Sequence, residues 1–158
     1  MRDKRFIAEH RGGLLTKDNH HKLIRWAREC SEHVLSLIDG EIDKRLLDAL
    51  HIADEWENEN VSTGEAMKAS LRAHAVSREY SDPASIAVAR SVGHTVATAH
   101  MADHSLGGAM YALKAAGLVG KSIDKEQDWQ NKQLQKLPSD IVELVQTNMT
   151  MKSKGFKM

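Results

Sequence analysis

His100, Asp103 and His104 stand as His-x-x-Asp-His within the run HTVATAHMADHSLGGAM at 94–110. Neutral imidazole nitrogens and a carboxylate are ordinary ligands of zinc or iron, so the first chemistry this spacing suggests is capture of a divalent metal. On one continuous helix, at about 100° per residue, His100 and His104 fall within about 40° of each other and Asp103 about 60° to the other side of His100. The three then share a face, which Gly107 and Tyr111 extend at the next steps of three and four. His94, His74 and His51 are further imidazoles, but no spacing requires that they converge on the motif. The pattern also lacks what metal-binding helices elsewhere supply, such as a Glu placed to activate water or paired Glu-x-x-His helices. The reading adopted is therefore structural: rings at the edge of the core, bonded to Asp103, Tyr111 or carbonyls of a facing helix. No cofactor is expected, and a small metal-binding protein or metalloenzyme using His100, Asp103 and His104 is the alternative.

Other chemistry is less complete. Cys30 falls on an apolar helical stripe and reads as an inert buried thiol rather than a nucleophile. HRGGLL at 10–15 lacks the Lys-Ser/Thr of a phosphate loop and follows no strand, so it reads as a turn. In the arm RDKRFIAEHRGG, Phe6 can pin the chain to a bundle while Arg2, Arg5 and Arg11 face water. Trp26 reads as core. Trp56 is framed by Asp54, Glu55, Glu57 and Glu59, and an aromatic among carboxylates can anchor a basic partner. That acidic edge is the candidate binding surface.

The elements that must position these residues are helical. Thr16 can cap a first helix whose Leu23, Trp26, Ala27, Cys30, Val34, Leu37 and Ile38 repeat at three and four, ending at Gly40. A second spans about 43–58 with Leu46, Leu47, Leu50, Ala53 and Trp56 on its apolar side. STGE at 62–65 has the form of a capping box and starts a third, running through Met67, Leu71 and His74 to about Tyr80. Asp82 and Pro83 give the next one a cap and a pre-set first turn. It continues to Gly117 as one helix or two, with a bend or break expected at Gly107 and Gly108 or in the region of His100 to Asp103. Asp124 and Gln127 suggest a further cap, Pro138 opens a short last helix, SDIVELVQ, and TMKSKGFKM reads as a frayed end.

These elements make an all-α, single-domain bundle of six or seven helices at 16–148, with a central Ala- and Gly-rich helix or helix pair. An N-terminal arm (1–15) precedes it and a flexible basic tail (149–158) follows. Its 158 residues suffice for one domain with a genuine core. Twenty-two basic and 22 acidic residues balance, so no global field draws in nucleic acid or an anionic membrane. The only charges in 86–119 are Arg90, Asp103 and Lys114, yet the uncharged runs between them fall short of the roughly 20 apolar residues a bilayer needs. A lone cysteine and an opening MRDKRF with no apolar segment behind it point to a cytoplasmic protein. The Ala- and Gly-rich segment also suits packing across a homodimer.

The patterns RDKRFIAEHRGG, WARECSEHVL, GEA before AHA and, most specifically, GHTVATAHMADHSLGGAMYALKA resemble the Imm-5-like immunity proteins of bacterial polymorphic-toxin systems. The resemblance spans roughly 2–116. It implies a helical cytoplasmic protein that binds a cognate toxin and neutralises it by occlusion, and it assigns no catalytic residues. Partners of cationic nuclease toxins are often acidic overall, and the neutral balance of this chain departs from that pattern.

Overall fold

The hydroxyl of Thr16 accepts a hydrogen bond from the Asn19 N–H and starts α1, Lys17–His33. The computed structural model describes residues 2–158. Six more helices follow: α2 (Lys44–Glu57), α3 (Thr63–Glu79), α4 (Pro83–Ala97), α5 (His104–Leu118), α6 (Ile123–Leu134) and α7 (Ser139–Ser153). Asp43, Ser62, Asp82 and Ser122 cap α2, α3, α4 and α6 by accepting from backbone N–H groups of the first turn. Among the described residues there are no strands, only an isolated bridge between Ala8 and Leu15, which ties the arm to the entry of α1. No helix among them is long and apolar enough to cross a membrane.

The central layer is the antiparallel pair α4 and α5, flanked by α1 and α3, and it is built from small residues. Ser31 on α1 lies 2.8 Å from both Ser91 Oγ and Thr95 Oγ1 of α4. Ser91 donates to the Gly108 carbonyl at 2.7 Å and Thr95 to the Ala27 carbonyl at 3.1 Å. Three buried hydroxyls thus satisfy one another and two carbonyls across three helices, which burial without partners would penalise. Gly108 permits the approach, since a Cβ there would stand 2.6 Å from Thr95 Oγ1 and 3.3 Å from Ala27 Cβ. Gly108→Ala is expected to lose about 1–3 kcal/mol, the usual cost of overpacking. An unchanged urea midpoint would show that Thr95 rotates away at no cost.

Several local expectations are corrected. The first α-helix stops at His33, not Gly40, and the chain tightens into a 3-10 turn over Leu35–Leu37, which keeps Val34 and Ile38 buried. On α3 the large side chains point outward, Met67 43 % and Leu71 65 % exposed. Ala66, Ala69, Ser70, Ala73 and Val76 face the core instead, because α3 lies close enough to α4 for Ser70 to donate to the Gly93 carbonyl at 2.9 Å. Leu47 is likewise exposed on α2. The break after α4 falls at 98–103, the second of the two places anticipated, while Gly107 and Gly108 lie inside α5. Ser122, rather than Asp124, caps α6. The last helix runs beyond SDIVELVQ to Ser153, with Met149 packed against the core, and Phe156 beyond it meets the Tyr111 ring edge-on at 5.0 Å.

Candidate functional site

The break between α4 and α5 changes the geometry of His-x-x-Asp-His. His100 sits in the turn and His104 begins α5, so the continuous helix on which the three residues would share a face is absent. Asp103 occupies the N-cap position without a side-chain cap bond, and its carboxylate lies 3.5 Å from Arg2 Nε of the arm. The two rings remain neighbours, with centroids 5.5 Å apart. What the hairpin adds is His94, whose Nδ1 lies 3.2 Å from Nδ1 of His104. His74 of α3 stands edge-on to His94 at 5.2 Å. Four imidazoles therefore form a row, His74, His94, His104 and His100, along the seam of α3, α4 and α5. His51 lies exposed on α2, outside it.

Glycines make room for the row. A Cβ on Gly93 would stand 2.6 Å from the His74 ring, and one on Gly107 would stand 2.7 Å from the His94 ring. His74 and His94 thus rest where the neighbouring helix has no side chain. Tyr111 stacks on His94 at 5.3 Å and 13°. A cavity of about 410 Å³ lies elsewhere, by Trp56, but one of about 490 Å³ opens on His94, lined also by Gly107, Met110, Tyr111, Met151 and Phe156. Burial holds His94 down to about 4, aided by the neighbouring His104 and His74 and by Lys152 and Arg90. Burial also lowers His74, His104 and His100, with Asp103 opposing the shift at the last two. All four rings are consequently neutral near pH 7, each offering one N–H and one lone pair.

His104 finds its partner in His94 rather than in Asp103, Tyr111 or a facing carbonyl, while Nδ1 of His100 is buried with no hydrogen-bond partner. A histidine elsewhere does satisfy a helix end: Nε2–H of His20 donates to the Thr98 carbonyl at 2.6 Å. Among the described residues, no three His, Cys, Asp or Glu side chains are grouped to hold a metal ion. The part of the row that sequence reasoning missed is the His94–His104 pair. Its spacing of ten carries no helical signal, and only the glycines beside the histidines, at Gly93 and Gly107, hinted at close packing.

The acidic edge is only partly a free surface. Glu57 is buried and bonded by Arg25 Nε at 2.6 Å, with Arg28 3.6 Å away. It is a paired interior carboxylate, a correction to its place on the surface. Asp54 lies 3.5 Å from Arg28 Nη2, and Glu59 pairs with Lys17. Glu55 is half-buried beside them. Trp56 donates from Nε1 to Thr63 Oγ1 at 3.1 Å and packs against the rings of His20 and His21. Its indole lines the 410 Å³ groove with His10, Lys17, His21 and Glu59, between the arm and the start of α3. Trp26 is core, as expected, and Cys30 is fully buried with its thiol pushed well above the usual range by desolvation.

Neither the curated proteins nor the solved structures include a significant match to the chain. One family model does match, described as "Imm-5 like putative immunity protein", over residues 13–137. The match begins after most of the arm and extends past α5 through α6, further than the sequence patterns reached. It takes in the α4–α5 hairpin, the histidine row and the Trp56 edge, and on that coverage the chain belongs to the Imm-5-like immunity protein family.

Proposed function

We propose that this protein binds a cognate toxin of a bacterial polymorphic-toxin system and neutralises it by occlusion. Membership of the immunity family carries the reading. The architecture suits it, because a binder needs a rigid scaffold with a complementary surface, and the small-residue core of α4 and α5 supplies rigidity without committing surface residues. The binding surface is the groove at the α1–α2–α3 edge, a concavity of about 410 Å³ that Trp56 and Glu59 line, with Asp54 and Glu55 outside its lining on the same helix as Trp56. An indole in a groove with a charged rim has the anatomy of an interface anchor, and loss of such an anchor costs roughly 2 kcal/mol or more in binding.

Co-expression with the toxins encoded beside its gene tests both levels. Growth should be rescued by the native chain and a complex should co-purify; if no neighbouring product is toxic, or none is bound, the reading fails. Trp56→Ala should weaken the complex by about 30-fold, the equivalent of roughly 2 kcal/mol, with helical content unchanged. Full protection by that variant would move the binding surface away from this edge.

A further inference from the structure

We propose that His94 and His104 form a two-imidazole clip for one late first-row divalent cation, with their Nδ1 atoms as donors and the adjoining cavity holding its remaining water ligands. The central observation is the 3.2 Å separation of the two Nδ1 atoms. Two nitrogens bound at 2.0–2.1 Å to one tetrahedral cation lie about 3.3 Å apart, so the rings already stand at ligand spacing. The same distance also fits an N–H···N hydrogen bond, and in the metal-free protein one ring donates to the other. On metal entry the donor ring changes tautomer, its Nδ1 proton being exchanged through water for one on its own Nε2, so both rings stay neutral, no net proton is released, and both Nδ1 lone pairs then point at the cation.

The surroundings favour the clip over a chance contact. His94 is seated in the space left by Gly107 and backed by the Tyr111 ring, so its orientation is fixed before any ligand arrives. His104 is fixed by its place at the first position of α5. Such prior placement removes the ordering cost that a metal would otherwise meet. The cavity of about 490 Å³ beside His94 is open to solvent and large enough for several waters. Burial keeps both imidazoles neutral, so at neutral pH the metal displaces no imidazolium proton and requires only a change of tautomer in one ring.

The charges nearby choose the kind of cation. Arg90 and Lys152 act on His94, and Asp103 and Lys152 on His104, with Lys152 also on the cavity wall, so the local field is mixed and gives no help to a hard ion held by charge alone. Calcium and magnesium are excluded by donor type, because they require oxygen ligands. Zinc, nickel and copper accept imidazole, with copper the tightest in the series. Since no third His, Cys, Asp or Glu joins the pair among the described residues, the site is open rather than a closed structural centre. His100 and Asp103, the residues of the sequence motif, lie outside the donor set.

Untagged full-length protein, stripped with chelator and titrated with Zn²⁺ and Ni²⁺ in a calorimeter, should bind one cation per chain. Even an outer-shell partner of a metal-bound histidine is worth about 10–100-fold in affinity, so His94→Ala and His104→Ala should each weaken binding by at least about tenfold. His100→Ala should change it little. Because the first two substitutions open cavities, the native protein is followed independently by nitrogen NMR of its imidazoles. Zinc should shift Nδ1 of His94 and His104 and leave an N–H at Nε2 of each, the Nε2 signal moving strongly only in the ring that donated in the metal-free protein. Absence of stoichiometric binding overturns the clip. So does binding that survives both alanine variants, or that disappears in His100→Ala, which would return the donors to His-x-x-Asp-His.

Discussion

Trp26→Ala should cost the bundle about 3–5 kcal/mol, the range for truncating a large buried aromatic. Trp26 is 1 % exposed at the centre of α1, and its Nε1–H donates to the Gln130 carbonyl of α6 at 3.0 Å. Gln130 in turn donates from Nε2 to the Ala109 carbonyl of α5 at 2.9 Å. One side chain therefore fills the junction of three helices and anchors the only polar chain linking α1 to α5 through α6 that the buried core contains among the described residues. The surface tie between α1 and α6, His33 stacked on Trp129 at 3.6 Å and bonded to Glu126, survives the substitution but is exposed and correspondingly weaker. Urea unfolding followed by circular dichroism measures the loss. A cost below about 1 kcal/mol would mean that the junction collapses around the missing indole. Trp26→Phe should fall between the two, because it restores most of the volume and leaves the Gln130 carbonyl without its donor.

Acid should weaken the metal-free protein well before its carboxylates titrate. In the unfolded chain each histidine takes up a proton at about 6.5, whereas folded His94 does so only near 4. Between those values the unfolded state binds more protons, so stability is fully present above about pH 6.5, falls as the pH drops, and levels below about 4. His94 alone accounts for about 2 kcal/mol between pH 7.5 and 5. His74, His104, His100 and His20 are lowered in the same direction and add to it. Glu29, raised by burial, works in the opposite sense. The lowered carboxylates, Asp18, Asp43, Glu59 and Glu79, lose their contribution only at lower pH, below their unfolded values. Unfolding free energies from urea titrations at pH 7.5 and 5, taken with chelator present, should fall by an amount of this order in the native protein and by clearly less in His94→Gln. Equal values in the native protein would contradict the buried, neutral state of the row.

Helix number and most helix starts were legible in the chain because capping is local. Thr16, Asp43, Ser62 and Asp82 each satisfy an N–H two or three residues away, and that chemistry is written in consecutive residues. The fate of Trp26 and Cys30 was legible because apolar periodicity marks the buried stripe, and that of Phe6 because it is the one aromatic of the charged arm. The core face of α3 was not. Periodicity favours its large side chains, Met67 and Leu71, but the spacing between α3 and α4 is set by Ser70 against Gly93, and only small residues fit there.

The site divides along the same line. By itself the sequence determined that histidines and small residues are concentrated at 93–108, that the chain is helical, and which family pattern it carries. Tertiary structure decided which histidines meet. His94 and His104 are ten residues apart and come to 3.2 Å only because the chain breaks at 98–103 and α5 folds back on α4. It also decided that Glu57 is an interior ion-pair partner while Trp56 lines a groove, because Arg25 and Arg28 reach across from α1. Caps and stripes are set by neighbours within a turn or two, so they can be read from order alone. Ring pairs, buried charges and grooves depend on separations between helices, and those are fixed by the packing of the whole bundle.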